Sequence, residues 1–312
     1  MSSHTLLERS PAPGLSVQPA LPTHVYWLSG MAAVTMAVAA SLTFFLPHLL
    51  AGPAVTNGNA RGTALVMMAL GIPGLALAMV RQRAGSWRAL VVWLGFIAYL
   101  LYNSFLFVFA TPVNRLFLIY LAGFSLTLFG TIALVRAADS LALYDRLERL
   151  PARGLAVYVW LLVGLNTLTW LRAILPALAG DPAALAEGTD LGTNPVYVQD
   201  LTFWLPLMAV SAWYLWRRFP WAILVTGGWL VYGVVESIGV AVDQWFGHQA
   251  DPTSPLAAMG AVVLFAVMAV VGLIPLYFYF RTRPTRPART KHPAFPTVSR
   301  TGPTLDGFSH ER

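Results

Sequence analysis

Long stretches of this chain contain no Asp, Glu, Lys or Arg, among them residues 10–60, 62–80, 89–114, 116–135 and 252–280. Soluble domains place a charge at roughly one residue in four and rarely go this far without one. A helix that crosses a ~30 Å hydrocarbon layer needs about 20 apolar residues in a row. The runs match that requirement, and only 11% of the 312 residues are charged. The pattern predicts a membrane protein with several spans.

Hydropathy places eight spans at about 26–48, 62–80, 89–110, 115–137, 155–178, 198–216, 220–242 and 256–280. Only helices or closed barrels satisfy the backbone in lipid, and the runs lack the period-two alternation of barrel strands. The expected fold is therefore all-α, a polytopic transmembrane helix bundle of about eight spans covering 26–280. Pro73 and Pro206 remove backbone hydrogen bonds within the second and sixth spans and predict kinks there. The first apolar stretch, from Tyr26, lacks a basic leader and is longer than a signal-peptide core, so it reads as a retained helix.

Lys and Arg divide sharply when counted on alternate sides of these spans. One side collects seventeen of the twenty, in loops around Arg81, Arg136, Arg153 and Arg217 and in the two tails; the other has only Arg61, Arg115 and Arg172. Loops at 179–197 and 243–255 carry Asp181, Glu187, Asp190, Asp243 and Asp251 with no base. The positive-inside rule then puts both termini in the cytoplasm, with the bundle in the cell (plasma) membrane. Residues 1–25 and 281–312 read as disordered cytoplasmic tails, the latter basic enough to touch anionic lipid. Between spans four and five, Leu141, Tyr144, Leu147 and Leu150 recur at threes. They suggest either an interfacial amphipathic helix or an extension of span four.

The net charge of +7 is thus a sorting signal and does not point to nucleic acid. With no cysteine, thiolate metal sites, disulfides and a cysteine nucleophile are excluded. His48 and His248 lack metal-ligand spacing, and no nucleotide or hydrolase motif is present, so no cofactor or metal is implied. Trp27, Trp87, Trp216, Trp221 and Trp245 fall at span ends and read as interface anchors. Oligomeric state leaves no mark in the sequence.

Tyr99-Leu-Leu-Tyr102-Asn103-Ser104, followed by Asn114-Arg115-Leu-Phe117-Leu-Ile-Tyr120, resembles a family of uncharacterised bacterial polytopic membrane proteins with a Tyr-Asn-(Tyr/Ser) motif and then Asn-x-x-Phe-Leu-x-Tyr. Gly71-Ile-Pro73 with the Arg81-Gln-Arg83 loop is similar too. So is Asp200-Leu-Thr-Phe-Trp-Leu-Pro206 leading to Trp216-Arg217-Arg218-Phe-Pro220-Trp221. The likeness covers roughly residues 60–240, and Ser104 stands where the motif has a second tyrosine. It implies a helical bundle and carries no activity.

Ionisable residues within spans cost about 2.5–3.5 kcal/mol on insertion scales and call for an explanation. Asn103, Arg115, Arg172, Asp200 and Glu236 all map to the extracytoplasmic half, with Glu236 about 9 Å below the end of its span. Tyr99 with Asn103 and Tyr232 with Glu236 stand at i, i+4 on shared helix faces. These seven residues form the candidate pocket. Pairing Arg172 with Asp200 and Arg115 with Glu236, or crossing the pairs, gives either a polar cavity or a set of helix staples. Three functions fit this pattern. One is binding or transport of a small solute or lipid; another is an integral-membrane enzyme acting on a lipid-soluble substrate through Glu236 and Asp200; the third is an accessory protein with structural charges.

Overall fold

The computed structural model describes residues 21–146 and 150–281. The tails at 1–20 and 282–312, with their bases, and Leu147 lie outside these residues. All regular elements among the described residues are helices: α1 (Thr23–Phe45), α2 (Ala54–Val66), α3 (Ile72–Arg83), α4 (Trp87–Phe109), α5 (Phe117–Ala137), α6 (Ser140–Arg146), α7 (Ala152–Ala179), α8 (Pro195–Gln199), α9 (Leu205–Trp216), α10 (Pro220–Ala250) and α11 (Met259–Arg281), with short 3₁₀ turns at Pro47–Leu49 and Pro182–Leu185.

Seven helical stretches among the described residues are long and apolar enough to cross a membrane: α1, α2 joined to α3, α4, α5, α7, α10 and α11. The expected sixth span is helical without break from Pro195 to Trp216, but Gln199 and Asp200 near its start make it more polar than those seven. It still runs antiparallel to α7. Trp170 lies beside Tyr197 (ring centroids 5.0 Å apart), Trp160 Nε1 donates to the Ala209 carbonyl at 3.2 Å, and Arg153 sits 5.5 Å over the Trp216 ring. Eight spans were expected from apolarity. Seven meet that criterion, and the eighth stretch accompanies α7 as a partner.

The bundle turns its apolar faces outward. In α7 and α11 only 17% of the most apolar window is buried, against 78% in α4 and 72% in α10. Leu161, Leu165 and Leu168 of α7 and Val263, Val267 and Val270 of α11 are exposed. A soluble monomer does not present apolar area on this scale; a lipid solvent accepts it. The chain is a multi-pass membrane protein built around α4 and α10. At one end of the bundle Tyr26 bonds Gln82, Arg83 lies 4.5 Å over the Tyr26 ring, and Arg88 Nη2 donates to the Phe280 carbonyl at 3.0 Å. The start of α1, the α3–α4 turn and the close of α11 therefore share that end.

Both expected kinks take a definite form. Residues 67–71 and 200–204 are π turns, and Pro73 and Pro206 each stand second in the α-helix that follows. A proline ring presses on the carbonyl four residues back and offers no N–H. The wider π turn relieves that clash, and such turns recur at functional sites.

Three boundaries differ from the hydropathy reading. Helix α2 begins at Ala54 where 62 was expected. Helix α1 begins at Thr23, inside the stretch taken as tail. Helix α10 continues to Ala250, so Asp243 lies within a helix and not in a loop. Gly62 explains why: a Cβ there would lie 2.5 Å from Asp243 Cα, so α2 and α10 approach backbone to backbone beyond the charge. Between α5 and α7, α6 is a separate helix. Asp139 Oδ1 accepts from the Leu141 and Ala142 amides at 3.1 Å each, and Leu143 is buried while Leu141 is exposed. Of the residues spaced by threes, Tyr144 and Leu150 pack against the core while Leu141 does not.

Candidate functional site

Helix α4 carries the centre of the site. Asn103, buried in α4, donates from Nδ2 to Glu236 Oε2 on α10 at 2.8 Å and to the Tyr99 carbonyl at 3.0 Å. Tyr99 is fully buried, and its hydroxyl has no hydrogen-bond partner. Its ring is slotted between two glycines. A Cβ on Gly71, in the first π turn, would lie 2.7 Å from the ring, and one on Gly239 of α10 would be in ordinary contact at 3.4 Å. The i, i+4 spacing seen in the sequence thus brings Tyr99 and Asn103 to the face of α10 that bears Glu236.

One turn of helix away, Tyr102 donates its hydroxyl to Asp200 Oδ1 at 3.0 Å. Trp170 Nε1 on α7 donates to Asp200 Oδ2 at 2.9 Å, and Gln199 Nε2 donates to the Tyr102 carbonyl at 3.2 Å. Asp200, carried by the second π turn, therefore fastens α4, α7 and the 195–216 stretch together. Tyr232 is buried one turn before Glu236 and stacks on Trp204, with centroids 5.2 Å apart and planes within 7°. Tyr102 and Trp229 pack edge-on or tilted against the same two rings. Trp229 Nε1 and Gln199 Oε1 are buried without hydrogen-bond partners.

The arginines stand apart from this group. Arg115, just before α5, and Arg172, on the outer surface of α7, are both exposed. The expected pairs with Asp200 and Glu236 do not form, because the two carboxyl groups take their bonds from Tyr102, Trp170 and Asn103. The physical reason is the face each occupies: Arg115 precedes α5 and Arg172 stands on the exposed side of α7, from which a long side chain reaches the aqueous boundary more cheaply than it enters the bundle. Asn166 and Thr169, which precede Arg172 on α7, bond back to carbonyls of their own helix. His248 Nδ1 lies 3.3 Å from the Ala257 carbonyl, and His48 is exposed on the Pro47–Leu49 turn. Among the described residues no group of three or more His, Asp or Glu is placed to hold a metal ion.

Sequence reasoning missed a third acid, Asp243. It lies seven residues after Glu236, two turns along the same face of α10. Its carboxyl group bonds Gln244 Nε2 at 3.2 Å and the Thr63 hydroxyl of α2. The charges of Asp243 and Asp200 both bear on Glu236. Tyr102, Trp170, Trp204 and Trp229 were missed as well, because an aromatic in an apolar helix looks like core or interface anchor.

The result is an acidic, aromatic-walled centre with neutral donors only. A hydrogen bond to a charged group is worth about 1.5–3 kcal/mol, comparable to the ~2.5–3.5 kcal/mol charge of placing a carboxylate at mid-span. Asp200, with two such bonds, is close to offset. Glu236, with one bond and two acids acting on it, is not. Comparison of the chain with protein-family models, with curated proteins and with solved structures finds no match.

Proposed function

We propose that this chain binds or transports a small solute at the centre around Glu236 and Asp200, and that the solute is cationic. One observation carries this reading: two carboxyl groups on different helices are held inside the bundle by neutral donors, on Tyr102 and Trp170 for one and Asn103 for the other, while Arg115 and Arg172 stay outside. An intramembrane acid without a counter-charge marks a pathway or a binding site more readily than a staple. The faces of Trp204, Trp229 and Tyr232 add the electron-rich surface that favours a cation. The two π turns, both at this centre, supply the irregular backbone expected where helices line a solute site.

In this reading the end bearing Arg81, Arg83, Arg88 and Arg281 faces the cytoplasm of a bacterial cell. The acidic centre then opens toward the extracytoplasmic side. The resemblance to the polytopic family belongs to the same proposal, since Gly71, Tyr99, Asn103 and Asp200, which carry it, are the residues gathered here.

The test uses the full chain reconstituted in lipid vesicles and offered protons, sodium and alkylammonium ions in turn. Uptake of one of these, or quenching of the Trp204 and Trp229 fluorescence by it, should occur in the unaltered protein. It should fall at least tenfold in Glu236→Gln, which keeps the Asn103 contact and inserts normally. Equal responses from the unaltered chain, Glu236→Gln and empty vesicles would rule out the cationic solute.

A further inference from the structure

Asp243, Tyr99 and Glu236 form a series that the solute site does not by itself require. Glu236 and Asp243 are seven residues apart on α10, which sets them about 10 Å apart along the helix axis. Hydrogen bonds span about 3 Å, so one carboxyl group cannot reach the other directly. Between them stands Tyr99. The charges of both Glu236 and Asp243 act on its hydroxyl, which is fully buried and has no hydrogen-bond partner. Gly239, midway between the two acids in sequence, lies against the ring and hydroxyl of Tyr99, at 3.4 Å from where its own Cβ would stand.

A buried hydroxyl without a partner costs about 1–3 kcal/mol. A tyrosine retained under that cost, and held in its slot by Gly71 and Gly239, points to an occupant that completes its bonding. A water molecule would complete that bonding, and a hydroxyl bridged by water can accept one proton while releasing another.

We infer that Asp243, the Tyr99 hydroxyl and intervening water form a proton path from the outer end of α10 to Glu236. This rests on the cationic-solute reading above and names the hydron as the cation that reaches the centre. The step conserves charge: Asp243 gives up a proton to water, the Tyr99 oxygen accepts one as its own hydrogen passes inward, and the Glu236 carboxylate takes it. The groups facing the path are few. Helix α2 supplies Thr63, α4 supplies Tyr102 and Asn103, the 195–216 stretch supplies Asp200, and α10 itself supplies Tyr232 and Gln244. Arg61, near Thr63 on α2, turns away; it bonds the Phe44 carbonyl at 3.3 Å and lies over the Phe44 and Phe246 rings.

The measurement is a rapid pH jump on the full chain in lipid vesicles, followed by the infrared absorption of its carboxyl groups. The band lost in Glu236→Gln reports Glu236. Its protonation should slow at least tenfold in Tyr99→Phe, which removes only an unbonded hydroxyl, and in Asp243→Asn. Asp243→Glu should restore the rate. Unchanged rates in both blocking variants overturn the path, as does a Glu236 band that never responds to pH in the unaltered chain. Cation uptake with unchanged rates would keep the solute reading and remove the path. Slowed rates without uptake of any larger cation would keep the path and narrow the solute to the hydron.

Discussion

Asn103 and Glu236 are joined across the α4–α10 interface by a 2.8 Å bond, while the same Asn103 nitrogen also donates to the Tyr99 carbonyl at 3.0 Å. One amide thus fixes the acid and ties itself to its own helix, which leaves the carboxyl group a defined position deep in the bundle. Removing the donor by Asn103→Ala should lower stability by about 1.5–3 kcal/mol, the range for a bond to a charged group. In the Glu236→Gln background the same change should cost no more than about 1 kcal/mol. A double-mutant cycle read by unfolding in mixed micelles checks this, and additive single losses would show that the two side chains do not act together.

Asp200 gives a second cycle. Its two oxygens have separate donors on separate helices, Tyr102 on α4 and Trp170 on α7. Tyr102→Phe and Trp170→Phe should each cost about 1–3 kcal/mol, by leaving a buried carboxyl oxygen without its bond. Combined with Asp200→Asn, either loss should shrink. Thermal unfolding in detergent measures all three variants, and an undiminished loss in the Asp200→Asn background would place the effect in ring packing instead.

Asp251 supplies a pH prediction outside the spans. Its carboxylate accepts from the Thr253 hydroxyl at 2.7 Å and the Thr253 amide at 3.0 Å, which hold its pKa below the ordinary carboxylate value. A depressed folded pKa means that the turn is supported above the ordinary value and loses that support as pH falls through the folded one. Hydrogen exchange at the Thr253 amide should therefore show more protection at pH 6, relative to the intrinsic rate, than at pH 3. In Asp251→Asn that difference should vanish. A protection factor that does not change with pH in the unaltered chain would count against the turn as drawn.

The sidedness of the bundle is open to chemical labelling, because the chain contains no cysteine. Leu185→Cys, in the loop between α7 and α8, should react with an impermeant maleimide added outside intact cells. Cysteine at Gly85, between α3 and α4, is placed in a left-handed turn (φ +80°) and strains the backbone, so Ser86→Cys is the better cytoplasmic probe. It should react only after lysis. The reverse pattern would invert the orientation.

Much of this arrangement was legible in the residues. Glu236 and Asp200 declared themselves because acids interrupt runs otherwise free of charge, and the i, i+4 partners Tyr99–Asn103 and Tyr232–Glu236 followed from helix geometry. What failed did so for identifiable reasons. Depth along a span does not say which way a side chain turns, so Arg115 and Arg172 were grouped with acids that they do not meet. Asp243 was assigned to a loop because it directly follows the seventh apolar run, 220–242. The close approach permitted by Gly58 and Gly62, which extends α10 past it, is a pairwise property that one segment does not display. Trp170, Trp204 and Trp229 gave no sign, since hydropathy weighs an indole alike whether its N–H meets lipid, water or a carboxylate.

The π turns at 67–71 and 200–204 also set what kind of sequence change the bundle will accept. Each winds one extra residue into its helix. A residue lost from the regular helix beside either turn would rotate everything upstream by about 100° relative to everything downstream, whereas one lost from the turn itself restores α-helical winding and nearly keeps the phase. Just past the second turn that rotation would carry Gln199 and Asp200 off α4 and Trp204 off Tyr232. Substitutions within these five-residue windows test individual contacts; a one-residue deletion tests the phase between the two halves of the helix, and there the chain's length is as exacting as its chemistry.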